Sequence, residues 1–267
     1  MLRRVATVLA VLAAALLAAS PADSQTSRRP LRVLQLNLCD SGFAGCYSGR
    51  AVPAAAAVLR ERRPDLVTLN EICDDDVAAL GAVLADLFPG DTVVRAFQPA
   101  YDRRTAGPFL CRNGRAYGIG LLARLPAPRR AHTVDGGLYP DGDTQDAGDP
   151  EERAWLCVHA PGAYQACTTH LANTKPAVAQ AQCAYLLGTA IPAVHARAGY
   201  EPTVLAGDLN LPDIATCLPT GYQRRDDGAV QHVIATGDYL ITTGAPFDLG
   251  GVTDHPGLLV TLSVAHP

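Results

Sequence analysis

Strand-length apolar runs that end on, or lead into, a chemically capable polar residue recur along this chain, and they limit its fold more than any other feature. Thr203-Val204-Leu205-Ala206 runs straight into Gly207-Asp208-Leu209-Asn210. The run at 31–38 carries Asn37 near its end, the run at 65–70 stops at Glu71, and the run at 166–171 carries His170. Asp254-His255 precedes a last run at 258–262. In an extended chain alternate residues share a face, so Asp208 and Asn210 are expected to point the same way. A carboxylate there can hold a proton or a water, and a carboxamide can donate to an anionic oxygen. Active sites on layered folds gather where strand ends meet loops.

Helical segments separate the early strands. Residues 50–62 are Ala-rich and stop at Pro64, and residues 74–87 open on Asp74-Asp75-Asp76, suited to a helix N-terminus. Further strands are expected at 92–97, 117–122, 154–159, 230–236 and 239–243. Residues 176–198 read as a helix that Pro192 must kink or end. Residues 98–115 read as irregular, and residues 132–150, rich in Gly, Asp and Pro, as a long surface loop. Alternation early and adjacent strands late indicate an α+β (α/β layered) fold in a single domain, 31–267, with no internal linker.

Residues 1–22 have the layout of a secretory signal peptide: Arg3 and Arg4, an apolar stretch, then Ser20-Pro21-Ala22. Residues 23–30 form a polar leader. No second long apolar run stands out, so a secreted, soluble protein without a stable membrane anchor, and a monomer, is expected. All eight cysteines follow that segment, and none forms a Cys-x-x-Cys pair, which favours disulfides over zinc. Cys157 and Cys167 lie symmetrically about Pro161-Gly162, and Cys39 and Cys46 close a short loop. Cys73–Cys111 and Cys183–Cys217 follow only by elimination. The formal charge of −4 lacks the basic footprint of a tight nucleic-acid binder, though transient processing of nucleic acid stays compatible with it.

In order, these pieces resemble the endonuclease/exonuclease/phosphatase superfamily, the DNase I-like fold. They are Leu36-Asn37, Asn70-Glu71, the strand 117–124, Thr169-His170-Leu171, Gly207-Asp208-Leu209-Asn210 and Thr253-Asp254-His255-Pro256. The resemblance implies a four-layer α/β/β/α sandwich and metal-assisted attack of water on a phosphoester. It casts His170, Asp208, Asn210, His255, Asp254 and Asn37 as catalytic residues, and Glu71, Asn37 and Asp254 as ligands of Mg²⁺ (or Mn²⁺ or Ca²⁺). Glu71 is the hard oxygen donor such an ion prefers. His132, His159, His195 and His266 match no motif and read as structural.

The pattern departs from the family twice. The acidic partner of the last histidine is replaced by Gln231, unless a different strand pairing brings Asp238 there. The place two residues after Asn37, acidic in some relatives, is Cys39, while Asp40 should point to the other face. The substrate expected is a phosphoester, with nucleic acid foremost and Arg103, Arg104, Arg112 and Arg115 as a phosphate rim. Relatives that act on sphingomyelin or phosphoinositides supply the alternative. With 6% aromatics and no apolar aromatic loop cluster visible, that alternative ranks lower. A non-catalytic, disulfide-stapled binding domain ranks last.

Overall fold

The computed structural model describes residues 29–265; the expected signal peptide, most of the polar leader and His266 lie outside them. Two six-stranded sheets face each other. In the first the order is Tyr239–Phe247, Gly257–Val264, Leu31–Asn37, Leu66–Cys73, Tyr117–Leu125 and Thr92–Pro99. In the second it is Gln223–Asp226, Gln231–Ala235, Thr203–Asp208, Tyr164–His170, Ala154–Ala160 and Thr133–Leu138.

Alternation along the strands builds the layers. Val33 turns into the space between the sheets, where it joins Leu121, Leu156, Val204 and Val260. Leu34 and Leu36 turn outward onto the helices Ala51–Arg62 and Asp74–Leu87, packing with Leu59, Leu80 and Leu84. On the far side, Leu205 and Ile234 meet Leu186, Ile191 and Val194 of the helical stretch after Pro176. The result is the expected α/β/β/α sandwich. Each of these buried aliphatic side chains contributes about 1.5–3 kcal/mol.

Several local expectations need correction. Residues 133–138 form an edge strand of the second sheet rather than a loop. Its Gly136 reads as a loop residue, but a Cβ there would sit 2.8 Å from Gln98 Oε1 and 3.1 Å from Trp155 O, so close packing favours the glycine. Gln145 and Asp146, farther along the supposed surface loop, are buried. Residues 98–115 contain two short paired strands, Tyr101–Asp102 and Gly107–Pro108. The strand Gln223–Asp226 was not anticipated.

The α-helix Pro176–Tyr185 gives way to a π-helical turn, Leu186–Ala190, just before Pro192 and resumes as Ile191–Ala198, so the interruption expected at Pro192 takes the form of a π-turn within a continuous helical stretch. The stretch Pro176–Ala198, with mean hydropathy 1.3, is long and apolar enough to cross a membrane by length and composition. Its apolar face is the outer core just described, so it serves as a core helix.

All four expected disulfides are present: Cys39–Cys46, Cys73–Cys111, Cys157–Cys167 and Cys183–Cys217. Cys157 and Cys167 are register partners on adjacent antiparallel strands, as the hairpin symmetry implies. Four disulfides fit an oxidising, extracellular setting.

Candidate active site

The polar strand ends line up in two facing rows. In the first sheet Asn37 is the register partner of Asn70. In the second, Asp208 pairs with His170 on one side and Gln231 on the other. Within the second row, residue 207 is glycine where adjacent strands meet; a Cβ there would fall 2.2 Å from Thr169 O. Asn70 joins the two sheets, accepting from Asp208 N at 2.7 Å and donating to Thr169 O at 3.0 Å.

Glu71 reaches this row through a bulge. Val67, Leu69 and Ile72 all face the helical layer, so the chain spends one extra residue between 69 and 72. Glu71 takes the left-handed conformation (φ 52) and swings its carboxylate toward Asn37. Asn37 Nδ2 donates to Glu71 Oε1 at 2.9 Å and to Asp208 Oδ2 at 3.1 Å. Its own Oδ1 accepts from Cys39 N at 3.1 Å. Asn37 thus donates to both carboxylates while its Oδ1 accepts from the backbone.

Asp208 is almost wholly enclosed. Its Oδ2 also accepts from Gln231 Nε2 at 2.7 Å, and its Oδ1 from Asn210 N at 3.0 Å. Asn210, in the left-handed region (φ 49), donates one side-chain hydrogen to Leu171 O at 2.8 Å, which leaves its second for a ligand. His255 Nε2 lies 3.6 Å from Asp208 Oδ2 and 3.8 Å from Asp254 Oδ1. Gln231 Nε2 stands 3.4 Å from His255 Nδ1. Thr253 Oγ1 donates to Asn37 O at 3.0 Å, fastening the loop that carries Asp254 and His255 to the first row.

Burial governs the charges. It pushes the Glu71 pKa up against the hydrogen bond from Asn37, and Asp254 and Asp208 add to the rise. Burial also raises Asp208, partly offset by His255 and by the hydrogen bonds it accepts. His170, whose Nε2 is 3.9 Å from Glu71 Oε1, is held well below the usual histidine range by burial, with Arg153 and His255 adding to the effect. It is therefore a neutral imidazole at physiological pH.

The sequence matches the Endonuclease/Exonuclease/phosphatase family over residues 46–255. The chain belongs to that family. Its enzymes are phosphoester hydrolases that generally use divalent metal ions. Among solved structures, an endonuclease/exonuclease/phosphatase from Beutenbergia cavernae is similar at 22% identity, covering 89% of this chain and 72% of that one, with a TM-score of 0.63. The catalytic domain of human Nocturnin is similar at 14% identity, with coverage of 90% and 96% and a TM-score of 0.63. ANGEL2, described as a 2′,3′-cyclic phosphatase, is similar at 12% identity, with coverage of 88% and 96% and a TM-score of 0.59. A search of curated protein sequences returns no match.

Two family-based expectations do not fit the geometry. Asp238 bonds Tyr200 and Thr236 beyond the far end of the Gln231–Ala235 strand, so it is not the partner of His255. The arginines form no common rim. Arg103 pairs with Glu152 at 3.0 Å, Arg104 with Asp102 at 2.9 Å and Arg115 with Asp74 at 2.8 Å, while Arg112 lies against Phe43 and Tyr47. Cys39 is engaged in its disulfide, and Asp40 turns toward Asp76, away from the row. His195 bonds Thr203 and His132 bonds Arg130 O, consistent with structural roles.

Sequence reasoning missed Gln35 and Arg153. Gln35 Nε2 donates to Gln231 Oε1 at 2.8 Å and to Asn70 Oδ1 at 2.7 Å, completing a polar chain from one sheet to the other. A glutamine on the inner face of an otherwise apolar strand, two residues before Asn37, was its available signal. Arg153 is 3% exposed, with its Nη1 3.4 Å from Glu151 Oε1 and its Nη2 3.7 Å from Asp149 Oδ2, while its Nε has no hydrogen-bond partner among the described residues. Its Nη2 donates to Asn173 Oδ1 at 3.2 Å, and its charge acts on both Glu71 and His170. It sits just before a strand, among Glu151 and Glu152, where it resembles an ordinary surface charge.

Proposed function

We propose that this chain is an exported, divalent-metal-dependent phosphoester hydrolase, a phosphodiesterase with nucleic acid as its foremost substrate. The observation that carries the reading is the convergence of Asn37, Glu71, His170, Asp208 and His255 from both sheets onto one spot. Export rests on the signal-peptide layout and on the disulfides, which suit an oxidising compartment.

The donor set fits a hard cation. Glu71 is a partly buried carboxylate with one hydrogen bond, close to two further carboxylates, a surplus of negative charge that a divalent ion would relieve. Glu71 and Asp254 would hold it, and bound there it would counter charge on phosphate oxygens. Asp208, fixed by Asn37, Asn210 and Gln231, would orient and deprotonate the attacking water. His170, as a neutral donor, and His255 would face the phosphate oxygens and stabilise the charge that develops on them. The guanidinium of Arg153, already paired with Glu151 and Asp149, would add positive charge near Glu71 and His170.

A second reading, a lipid phosphodiesterase, gains from one observation. Phe43 and Tyr47 are exposed large side chains on a single loop, against the expectation that no loop carries aromatics together. Purified protein assayed on single-stranded DNA, RNA, sphingomyelin and bis(p-nitrophenyl) phosphate, each with Mg²⁺ and with EDTA, separates these readings. Metal-dependent cleavage of the nucleic acids supports the first, cleavage of sphingomyelin alone supports the second, and cleavage of nothing refutes both.

A further inference from the structure

Arg112 is the one member of the expected arginine rim with no ion pair among the described residues. Its guanidinium instead lies 5.5 Å from the Phe43 ring centre and 5.9 Å from that of Tyr47. Both rings are exposed, Phe43 by 64% and Tyr47 by 41%. Their loop is pinned in place. The Cys39–Cys46 disulfide closes it, Ser48 Oγ donates to Val252 O at 2.6 Å, and Gly42 is packed so tightly that a Cβ would lie 2.7 Å from Arg112 Cβ.

This cluster borders the site. The sulfurs of Cys39 and Cys46 and a carboxylate oxygen of Asp254 lie within 4.8 Å of one another. Cys39 N holds the carboxamide of Asn37. Beside the rings, Tyr47, Arg112, Asn113, Asp40 and Asp76 line a hollow of about 320 Å³, at the small end of the range for ligand pockets.

We infer that Phe43, Tyr47 and Arg112 form a stacking platform for a nucleobase that flanks the scissile phosphate of a single-stranded nucleic acid. The inference rests on the reading of the site as a phosphodiesterase. Aromatic rings and guanidinium planes are the surfaces on which unpaired bases stack. The unpaired charge of Arg112 suits an anionic strand, and Asp40 and Asp76 offer acceptors for base N–H groups. A lipid surface fits less well. The loop Ser41-Gly42-Phe43-Ala44-Gly45-Cys46-Tyr47-Ser48-Gly49 offers only two large apolar side chains for insertion.

The test measures binding by fluorescence anisotropy, in EDTA so that nothing is cleaved. Labelled oligothymidylate, an abasic strand of equal length, and vesicles of phosphatidylcholine with phosphatidylserine are titrated with the full protein. Wild type should bind the base-bearing strand about tenfold or more tightly than the abasic one, given usual stacking strengths. Phe43→Ala and Tyr47→Ala should each erase most of that preference, and Phe43→Trp should keep it. Both Ala variants alter exposed side chains, and circular dichroism checks their folding. Equal affinity of wild type for the two strands overturns the platform. So does an Ala variant that retains the preference, or vesicle binding that the Ala variants lose without any strand preference in wild type. Hydrolysis of bis(p-nitrophenyl) phosphate with Mg²⁺, run in parallel, separates the two claims. Hydrolysis without base preference refutes the platform alone, and base preference without hydrolysis of any phosphoester refutes the phosphodiesterase reading alone.

Discussion

Gln231 Nε2 donates to Asp208 Oδ2 over 2.7 Å. A neutral amide therefore stands where the family resemblance led us to expect a carboxylate, and it serves the aspartate at least as directly as the histidine. Gln35 fixes the other end of the amide, so its orientation is set from the opposite sheet.

Replacing that amide with an acid should disturb Asp208 first. Gln231→Asp puts a like charge beside a buried carboxylate and removes a donor, and both changes raise its pKa. The acidic limb of the kcat/KM profile should move up by about one pH unit or more, with lower activity at neutral pH. A pH–rate profile identical to that of wild type would contradict the assigned geometry.

Asn70 should matter for stability more than its small size suggests. Asn70→Ala leaves Asp208 N and Thr169 O without their partner inside the closed sandwich. The expected loss is about 2–4 kcal/mol in urea unfolding, because each orphaned buried group costs about 1–3 kcal/mol. A change within error of zero would mean that the bridge between the sheets is not made.

Arg153 offers a test of charge behind the site. Arg153→Met should lower kcat/KM by about 10²-fold or more, the usual loss when a charge-stabilising donor is removed. Arg153→Lys should recover part of it, since it keeps the charge and loses the fork. Equal activities of Met variant and wild type would exclude the role.

The contribution of Asp40 and Glu151 to stability should fall as pH rises from mildly acid to neutral, against the opposite contribution of His170, His195 and His232, whose pKa values burial lowers. Burial raises Asp40 from 3.8 to about 7, helped by Asp76, and raises Glu151 from 4.5 to about 7. Between those limits the folded protein holds protons that the unfolded chain has released, so this contribution is complete below the unfolded values and lost through about pH 7. Glu151→Gln should make the slope of unfolding free energy against pH more positive over that window. An unaltered slope would show that Glu151 does not titrate there.

Much of the architecture was legible because strand alternation and helix stops are local. The inward Val33 and outward Leu34 and Leu36, the stop at Pro64, and the hairpin pairing of Cys157 with Cys167 all follow from neighbours in sequence. The misreadings came from contacts between distant segments. Gly136 looked like a loop residue because Gln98 and Trp155, which crowd the place of a side chain there, lie far along the chain. The arginines looked like a rim because Asp74, Asp102 and Glu152, which neutralise three of them, were not visible as partners. The bulge that aims Glu71 leaves no periodic signature, and Arg153 became notable only when its burial was known.

The most direct test of the site is hydrolysis of bis(p-nitrophenyl) phosphate by wild type and by Asp208→Asn, which keeps the buried shape and removes the charge. Wild type should hydrolyse it with Mg²⁺ or Mn²⁺ and stop in EDTA, and Asp208→Asn should be slower by about 10³-fold while its circular dichroism shows it folded. An Asp208→Asn protein as active as wild type, or a wild type inert with every divalent ion, would contradict the account.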